Sequence, residues 1–434
     1  MKFDAIVIGA GVAGLAAARE LSGARKRVCI VEARERTGGR IHTLHVADLP
    51  LPIELGAEMI HGEPQETFSI VEAAALIACQ LPDNHLWSVD GKWERIPDFW
   101  QQIEKIRKQI GRLRRDMSFD AFLRTRRGIP PRLRKMARDF VEGYHAAHAD
   151  RISAMWLRPS DDEEEESLGN PQFRILNGYD ALTEWLRAGL DPDRTDLRLG
   201  TAVKRVVWRA GDVAIDCVRE KREETLHAPA AIITIPIGVW KAPREQEGAI
   251  GFDPALDEKM RAVAKLEVGH VVKMMFRFRE RFWDEVRLDS GATPPNFVHS
   301  SDRFMPTWWS AAPVRAPILT GWAGGHAADA LLAEGDEAMI DRALDSLAKT
   351  FGMRRRTVDD QLAGTYTHNW QSDLFSRGAY SYAAVGGTGA HQTLARPLRS
   401  TLFFAGEATS SDQTGTVAGA IATGRRAARE LLKG

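Results

Sequence analysis

The chain opens on a short apolar run at residues 3–8 that stops at Gly9 and passes into small and apolar residues with helical spacing. A second apolar run, residues 28–31, ends at Glu32. Strand, glycine turn, helix, strand is the pattern of a parallel βαβ unit. Farther along, apolar spacing predicts a helix over 67–81, and Asp90-Gly91 among Trp87, Trp93 and Trp100 predicts a hairpin turn. Residues 101–145 read as helical with a break at Gly128-Ile129-Pro130-Pro131. After Asn177-Gly178-Tyr179 the pattern gives a helix over 182–190 and strands over 197–199, 202–208, 213–218 and 231–235, the last stopped by Pro236. A strand over 271–278, aromatic-rich strands over 307–309 and 318–322, and a helix over 337–351 follow. The chain closes with an apolar strand over 402–408 and a small-residue helix reaching Leu432.

A chain of 434 residues can bury a large core and should hold about two domains. Lysine plus arginine and aspartate plus glutamate both number 59, so overall charge implies no polyanionic partner. Charge is uneven locally. Residues 105–138 carry thirteen basic side chains against Asp116 and Asp120, without the aromatic interleaving that base stacking needs. They read as solvated helix faces, with an anionic partner as the other reading, and no nucleic acid is expected. The acidic run at 161–166 reads as a solvated loop or as a rim that concentrates cations. Cys29, Cys79 and Cys217 are widely spaced, fit no paired framework and read as reduced core residues, consistent with a cytoplasmic protein. No stretch approaches 18 apolar residues, so neither a leader nor a membrane anchor is expected.

The glycines of the first turn carry chemistry. Gly9, Gly11 and Gly14 form GxGxxG after a strand and before a helix, with Glu32 placed 18 positions after the third glycine. In a dinucleotide-binding turn the first glycine permits the bend, the second lets a pyrophosphate approach the backbone, and the third lets helix and strand pack closely. A helix N-terminus favours the phosphate charge, and Glu32 can accept from a ribose. Gly38-Gly39-Arg40 then adds flexible backbone and a guanidinium suited to phosphate oxygens.

Residues 31–40, Val-Glu-Ala-Arg-Glu-Arg-Thr-Gly-Gly-Arg, resemble the fingerprint of FAD enzymes of the amine oxidase and phytoene desaturase superfamily. Further matches at 52–62, Asn177-Gly178-Tyr179, 269–276, 370–382 and 403–419 make nearly the whole chain similar to the flavin-containing amine oxidases, the family of monoamine oxidases, polyamine oxidases and the lysine-specific histone demethylase. The resemblance implies an α/β fold: a split, Rossmann-like FAD-binding domain (1–75, 173–255 and 385–434) interleaved with an α+β substrate domain on a mixed sheet (76–172 and 256–384), with the basic helical subregion at 101–145. It implies FAD contacts at Gly9, Gly11, Ala13, Gly14, Glu32, Ala33, Arg34, Gly39, Arg40, Gly56, Ala57, Glu58, Val203, Gly406, Glu407, Thr416 and Val417. Within these, the ribose falls to Glu32, the pyrophosphate to Arg34 and Arg40, and the adenine to the backbone at Val203.

For the reaction, the resemblance nominates Lys273, Trp370, Tyr380, His61 and Thr416. Strand alternation alone puts Lys273 opposite Val272, Met274 and Phe276, facing solvent. The resemblance instead puts its ammonium near flavin N5, holding a water and assisting reoxidation. It places Trp370 and Tyr380 as aromatic walls of the substrate cavity. Leu374-Phe375 departs from the Pro-Trp frequent in the family, and Thr416 stands where monoamine oxidases have a tyrosine. The cysteine that anchors flavin in monoamine oxidases is also absent near Val385-Gly386-Gly387-Thr388, so noncovalent FAD is expected. The activity implied is oxidation of a small amine, first of all a polyamine, by O2 to an imine and hydrogen peroxide. The alternatives are an L-amino-acid oxidase, with Arg277 or Arg315 for the carboxylate, and a flavoprotein desaturase or non-catalytic FAD-binding protein. Oligomeric state is not legible.

Overall fold

The computed structural model describes residues 3–96, 98–158, 171–288, 291–292 and 294–434, so the acidic run at 161–166 lies outside the described residues. Its first sheet has five parallel strands in the order Thr195–Arg198, Val28–Val31, Ala5–Ile8, Ala231–Ile233, Leu402–Phe404. The middle strands are buried at every position, which is why they read as unbroken apolar runs: both faces of a parallel sheet are covered. Helices Val12–Gly23 and Val417–Lys433 cover one face. They pack so closely that a Cβ on Gly424 would lie 2.1 Å from the Ala13 carbonyl oxygen. The other face meets Val206, Val213 and Ile215 from a four-stranded sheet (Arg222–Ala228, Asp212–Arg219, Thr201–Arg209, Gly251–Asp253).

A seven-stranded sheet runs Leu362–Thr367, Val271–Phe278, Ile318–Gly324, Thr307–Ser310, Phe297–Ser300, His85–Val89, Lys92–Arg95. All its pairings are antiparallel except that of Phe297–Ser300 with His85–Val89. One face carries Val272, Met274, Phe276 and Phe278 onto Trp283, Trp308, Leu344 and Leu347. The opposite face holds Lys273 and looks into a cavity. Its strands come from 85–95 and 271–367, whereas those of the first two sheets come from 5–31, 195–253 and 402–404. A three-stranded sheet, Met59–His61, Gln172–Ile175 and Ala78–Gln80, joins the two regions.

The hairpin falls at Asp90-Gly91, both with positive φ (49° and 78°). The basic region folds as Phe99–Ile110, Phe119–Thr125 and Pro131–Tyr144, with the break where Gly128-Ile129-Pro130-Pro131 predicts it. These helices bury Ile103, Ile106, Phe122 and Phe140 and turn most of their charges outward, as in the pair Arg132–Glu94 at 2.8 Å, while Asp120 is buried beneath Arg138 (2.7 Å) and Arg107 faces inward.

Two expectations are corrected. The helix predicted over 67–81 is Gln65–Ala73. Residues 78–80 form a strand instead, because Gln172–Ile175 offers them a backbone partner that spacing cannot reveal. Cys79, on that strand, is half-buried rather than core; Cys29 and Cys217 are buried, and all three thiols are free. Arg222–Ala228 is a strand despite its polar sequence, because Asp212–Arg219 presents an edge to it. Among the described residues no helix is long and apolar enough to cross a membrane.

Candidate active site

A cavity of about 780 Å³ lies against both the five-stranded and the seven-stranded sheet. Its first end is built from the turn after Ala5–Ile8. Gly9 has φ +103°, and a Cβ there would lie 2.6 Å from Thr234 Oγ1. A Cβ on Gly14 would strike the Gly9 carbonyl at 1.9 Å, so Gly14 is the packing glycine. Gly11 differs: its Cβ would meet nothing closer than Gly39 Cα at 4.0 Å. The space above Gly11 is therefore kept for a ligand, at a helix N-terminus with no side-chain cap. Glu32 borders it, its carboxylate accepting from the backbone N–H of Ala10 (2.8 Å) and Arg34 (3.0 Å). Each oxygen has capacity for a second donor such as a ribose hydroxyl. Ala13, Ala33, Gly39, Val203, Gly406 and Val417 complete this wall. A glycine-cleared surface, an acid and an open helix N-terminus fit the dinucleotide portion of FAD.

The two predicted phosphate arginines line the cavity but are already engaged. Arg34 donates to Asp373 and to Ser376 Oγ (2.9 Å). Arg40 donates to the Ala379 carbonyl and pairs with Glu407 at 3.0 Å, while Glu407 Oε2 accepts from Ser381 Oγ at 2.7 Å. They lock residues 373–381 onto the loop that follows Val28–Val31, a job sequence spacing does not show.

The second end holds the residues nominated for chemistry. Lys273 is buried, with Nζ 2.7 Å from Glu58 Oε2 and donating to the Gly56 carbonyl at 3.0 Å. Glu58 Oε1 accepts from Arg174 (2.7 Å) and Trp309 Nε1 (3.1 Å). Burial would raise the Glu58 carboxyl; Lys273 and Arg174 outweigh it and hold it down at about 2. The solvent-facing lysine of simple alternation is thus corrected: the strand is covered on both faces, and the charge is matched from outside the sheet. Glu58, expected among cofactor contacts, spends both oxygens on this cluster. A Cβ on Gly56 would lie 1.9 Å from the Arg40 carbonyl, so Gly56 and Ala57 bring the chain close enough to reach Lys273.

Trp370 donates from Nε1 to the Leu55 carbonyl (2.9 Å), and Tyr380 donates from its hydroxyl to the Tyr144 carbonyl (2.7 Å). With their polar tips held, these residues present ring surface to the cavity. His61 lines the cavity, keeps an exposed edge and packs edge-on against Tyr144 (5.2 Å). Burial lowers its imidazole to about 4, so it is neutral near pH 7. Thr416 also lines the cavity, but its hydroxyl is occupied: it accepts from Gly419 N–H (2.9 Å), donates to the Gln413 carbonyl (2.8 Å) and caps helix Val417–Lys433. That helix points a second N-terminus at the cavity.

Arg277 and Arg315 do not line the cavity and sit with Asp48 (3.6 Å) and Asp284 (2.8 Å). Sequence reasoning missed Arg174, Trp309, Trp322, Tyr144, His85 and His299. Tyr144 lies in the basic stretch read as a surface. Trp309 and His299 carried a usable signal: alternate positions on aromatic strands in one sheet with Lys273.

Comparisons with known proteins show what the whole chain is similar to. Residues 12–432 match the flavin containing amine oxidoreductase family. Polyamine oxidase 2 of Arabidopsis thaliana is 30% identical, covering 98% of this chain and 87% of that protein. Lysine-specific histone demethylase 1 homolog 3 of Arabidopsis thaliana is 29% identical over 98% of this chain but only 30% of its own length. Among solved structures, a putrescine oxidase variant superposes with a TM-score of 0.82 at 18% identity over all of both chains. Cyclohexylamine oxidase from Brevibacterium oxydans IH-35A superposes with a TM-score of 0.80 at 19% identity, covering all of this chain and 99% of its own. The family implies a flavin cofactor, and the chain belongs to the flavin-containing amine oxidoreductases.

Proposed function

We propose that this protein binds FAD noncovalently and oxidises a small alkyl amine, a polyamine before others, with O2 as acceptor. The observation that carries this reading is the buried Lys273–Glu58 pair opening onto the same cavity as the Glu32 cradle and the Trp370 and Tyr380 rings. Bound flavin would supply the redox chemistry, taking hydride from the amine α-carbon and passing electrons to O2 to give hydrogen peroxide. The ring surfaces of Trp370 and Tyr380 would orient the amine and exclude water without offering a competing base. Lys273 uses two of its three donors on Glu58 and Gly56, and the third is free to hold the water that hydrolyses the imine. Its positive charge, with the N-terminus of helix Val417–Lys433, favours negative charge developing nearby.

Polyamine oxidases among the relatives support the substrate class, as does Thr416 in place of a caging tyrosine. The demethylase reading is disfavoured: among the described residues of 173–400 the longest helix, Asp336–Phe351, has 16 residues, too short for a protruding partner-binding arm. An L-amino-acid oxidase loses its two nominated carboxylate-binding arginines, which do not reach the cavity. The free thiols suit a reducing, cytoplasmic setting.

The test is anaerobic stopped-flow mixing with polyamines, monoamines and L-amino acids, followed by a peroxide assay in air. Bleaching of the flavin by amines supports the reading; no bleaching by any amine overturns it.

A further inference from the structure

The seven-stranded sheet places one row of residues across the cavity floor. Lys273 pairs with Trp322, Trp322 with Thr307, Thr307 with His299, and His299 with Trp87. Directly opposed residues share a face, and all five line the cavity. Three strand spacings separate Lys273 from His299, about 14 Å.

His299 is held in an unusual way. Its Nε2 is 2.9 Å from His85 Nδ1, with ring centroids 5.2 Å apart and planes within 2°, so the two imidazoles are joined edge to edge in one plane. Phe99 (4.7 Å, 8°) and Phe297 (4.8 Å, 10°) lie parallel to the His85 ring and fix that plane. His85 Nε2 is 2.9 Å from Asp83 Oδ1, and the Asp83 side chain reaches the outer surface. The Asp83 carboxylate beside Nε2 favours the proton on that nitrogen through its charge, the approach being off the line of a well-formed hydrogen bond. Nδ1 of His85 must then accept, Nε2 of His299 must donate, and Nδ1 of His299 is left with a lone pair. No hydrogen bond to that atom is found among the described residues, the His299 ring being bonded through Nε2. Burial holds the His299 imidazole far below its usual range, so it stays a neutral acceptor. Trp87, Trp100 and Tyr144 also line the cavity and add aromatic faces that attract ammonium groups. Arg107, which lines it too, is matched by Glu104 at 3.0 Å.

We propose that His299, set by Asp83 through His85, is a second ammonium-binding subsite about 14 Å from Lys273, so that the cavity selects linear di- and polyamines by length. This rests on the amine oxidase reading and names the substrate feature that the oxidised end does not report.

The experiment compares kcat/KM of the FAD-loaded enzyme for α,ω-diamines of increasing length with matched n-alkylamines. The diamine-to-monoamine ratio should peak at one length, reaching about 14 Å end to end. His299→Phe should cut that peak ratio about tenfold, the loss of one hydrogen bond to a charged group, while His299→Gln, which restores an acceptor, should recover part of it. Asp83→Asn, a surface change that does not threaten folding, should lower the ratio to a smaller extent. A ratio flat with length, or a peak unmoved in all three variants, overturns the proposal while leaving the amine oxidase intact. Failure of every amine to bleach the flavin removes both.

Discussion

Lys273 Nζ lies 2.7 Å from Glu58 Oε2, and both side chains are almost fully buried. Glu58 also holds Arg174, so two cations share one anion. Removing either end has unequal consequences. Lys273→Met leaves a matched Glu58–Arg174 pair, so the fold and bound flavin should survive. Reoxidation of the reduced enzyme by O2 should slow by about tenfold or more, the scale of a lost electrostatic stabiliser, as read by stopped-flow mixing with oxygenated buffer. Glu58→Gln strands two buried cations. It should destabilise the protein by about 3–5 kcal/mol, and by more than Lys273→Met does in the same denaturant melts.

The glycines of the first turn should separate folding from cofactor binding. Gly14→Ala drives a Cβ into the Gly9 carbonyl and should damage the fold, seen as a lowered Tm of the apoprotein. Gly11→Val adds atoms where no protein atom stands within 4 Å of the new Cβ except Gly39 Cα. Its apoprotein should melt near the wild type, yet bind FAD at least tenfold more weakly by fluorescence titration, because the side chain fills the approach to the pyrophosphate.

Two buried glutamates titrate in opposite directions. Glu54 accepts from Thr43 Oγ1 (2.6 Å) and Tyr179 N–H (2.7 Å), but burial dominates and pushes its carboxyl up from 4.5 to about 7. The folded state favours its protonated form, so this contribution is present below about 4.5 and is lost as pH rises through about 7. Glu58, held down at about 2, contributes above about 4.5 and loses that contribution as pH falls toward 2. Glu54→Gln should therefore flatten the stability profile between pH 5 and 8 and stabilise the protein at pH 8 by up to about 3 kcal/mol, measured by urea melts across that range.

Thr416 is the cap of the last helix. Thr416→Ala should cost about 1 kcal/mol, and Thr416→Ser should recover most of it. Both should bind amines with little change in KM, because the hydroxyl is turned to Gly419 and Gln413 rather than to the cavity. A large KM change for Thr416→Ser would show instead that the methyl group packs on substrate.

The glycine turn, Glu32 and the buried parallel strands were legible because their causes are local. A bend that needs positive φ, a helix N-terminus and a strand covered on both faces each leave a signature within a few residues. Lys273, Trp370 and Tyr380 could be nominated only by resemblance, since alternation alone sends a lysine to solvent. What reverses that outcome is long-range: Glu58 and Gly56 arrive from more than two hundred residues away and supply an anion and a carbonyl inside the sheet's covered face. The strand over 78–80, the arginine clamps of Arg34 and Arg40, and the row from Lys273 to His299 have the same character. Each depends on which strands lie side by side and in what register. Backbone pairing is indifferent to side-chain identity, so no local pattern encodes it, and it is settled only when the whole chain has packed.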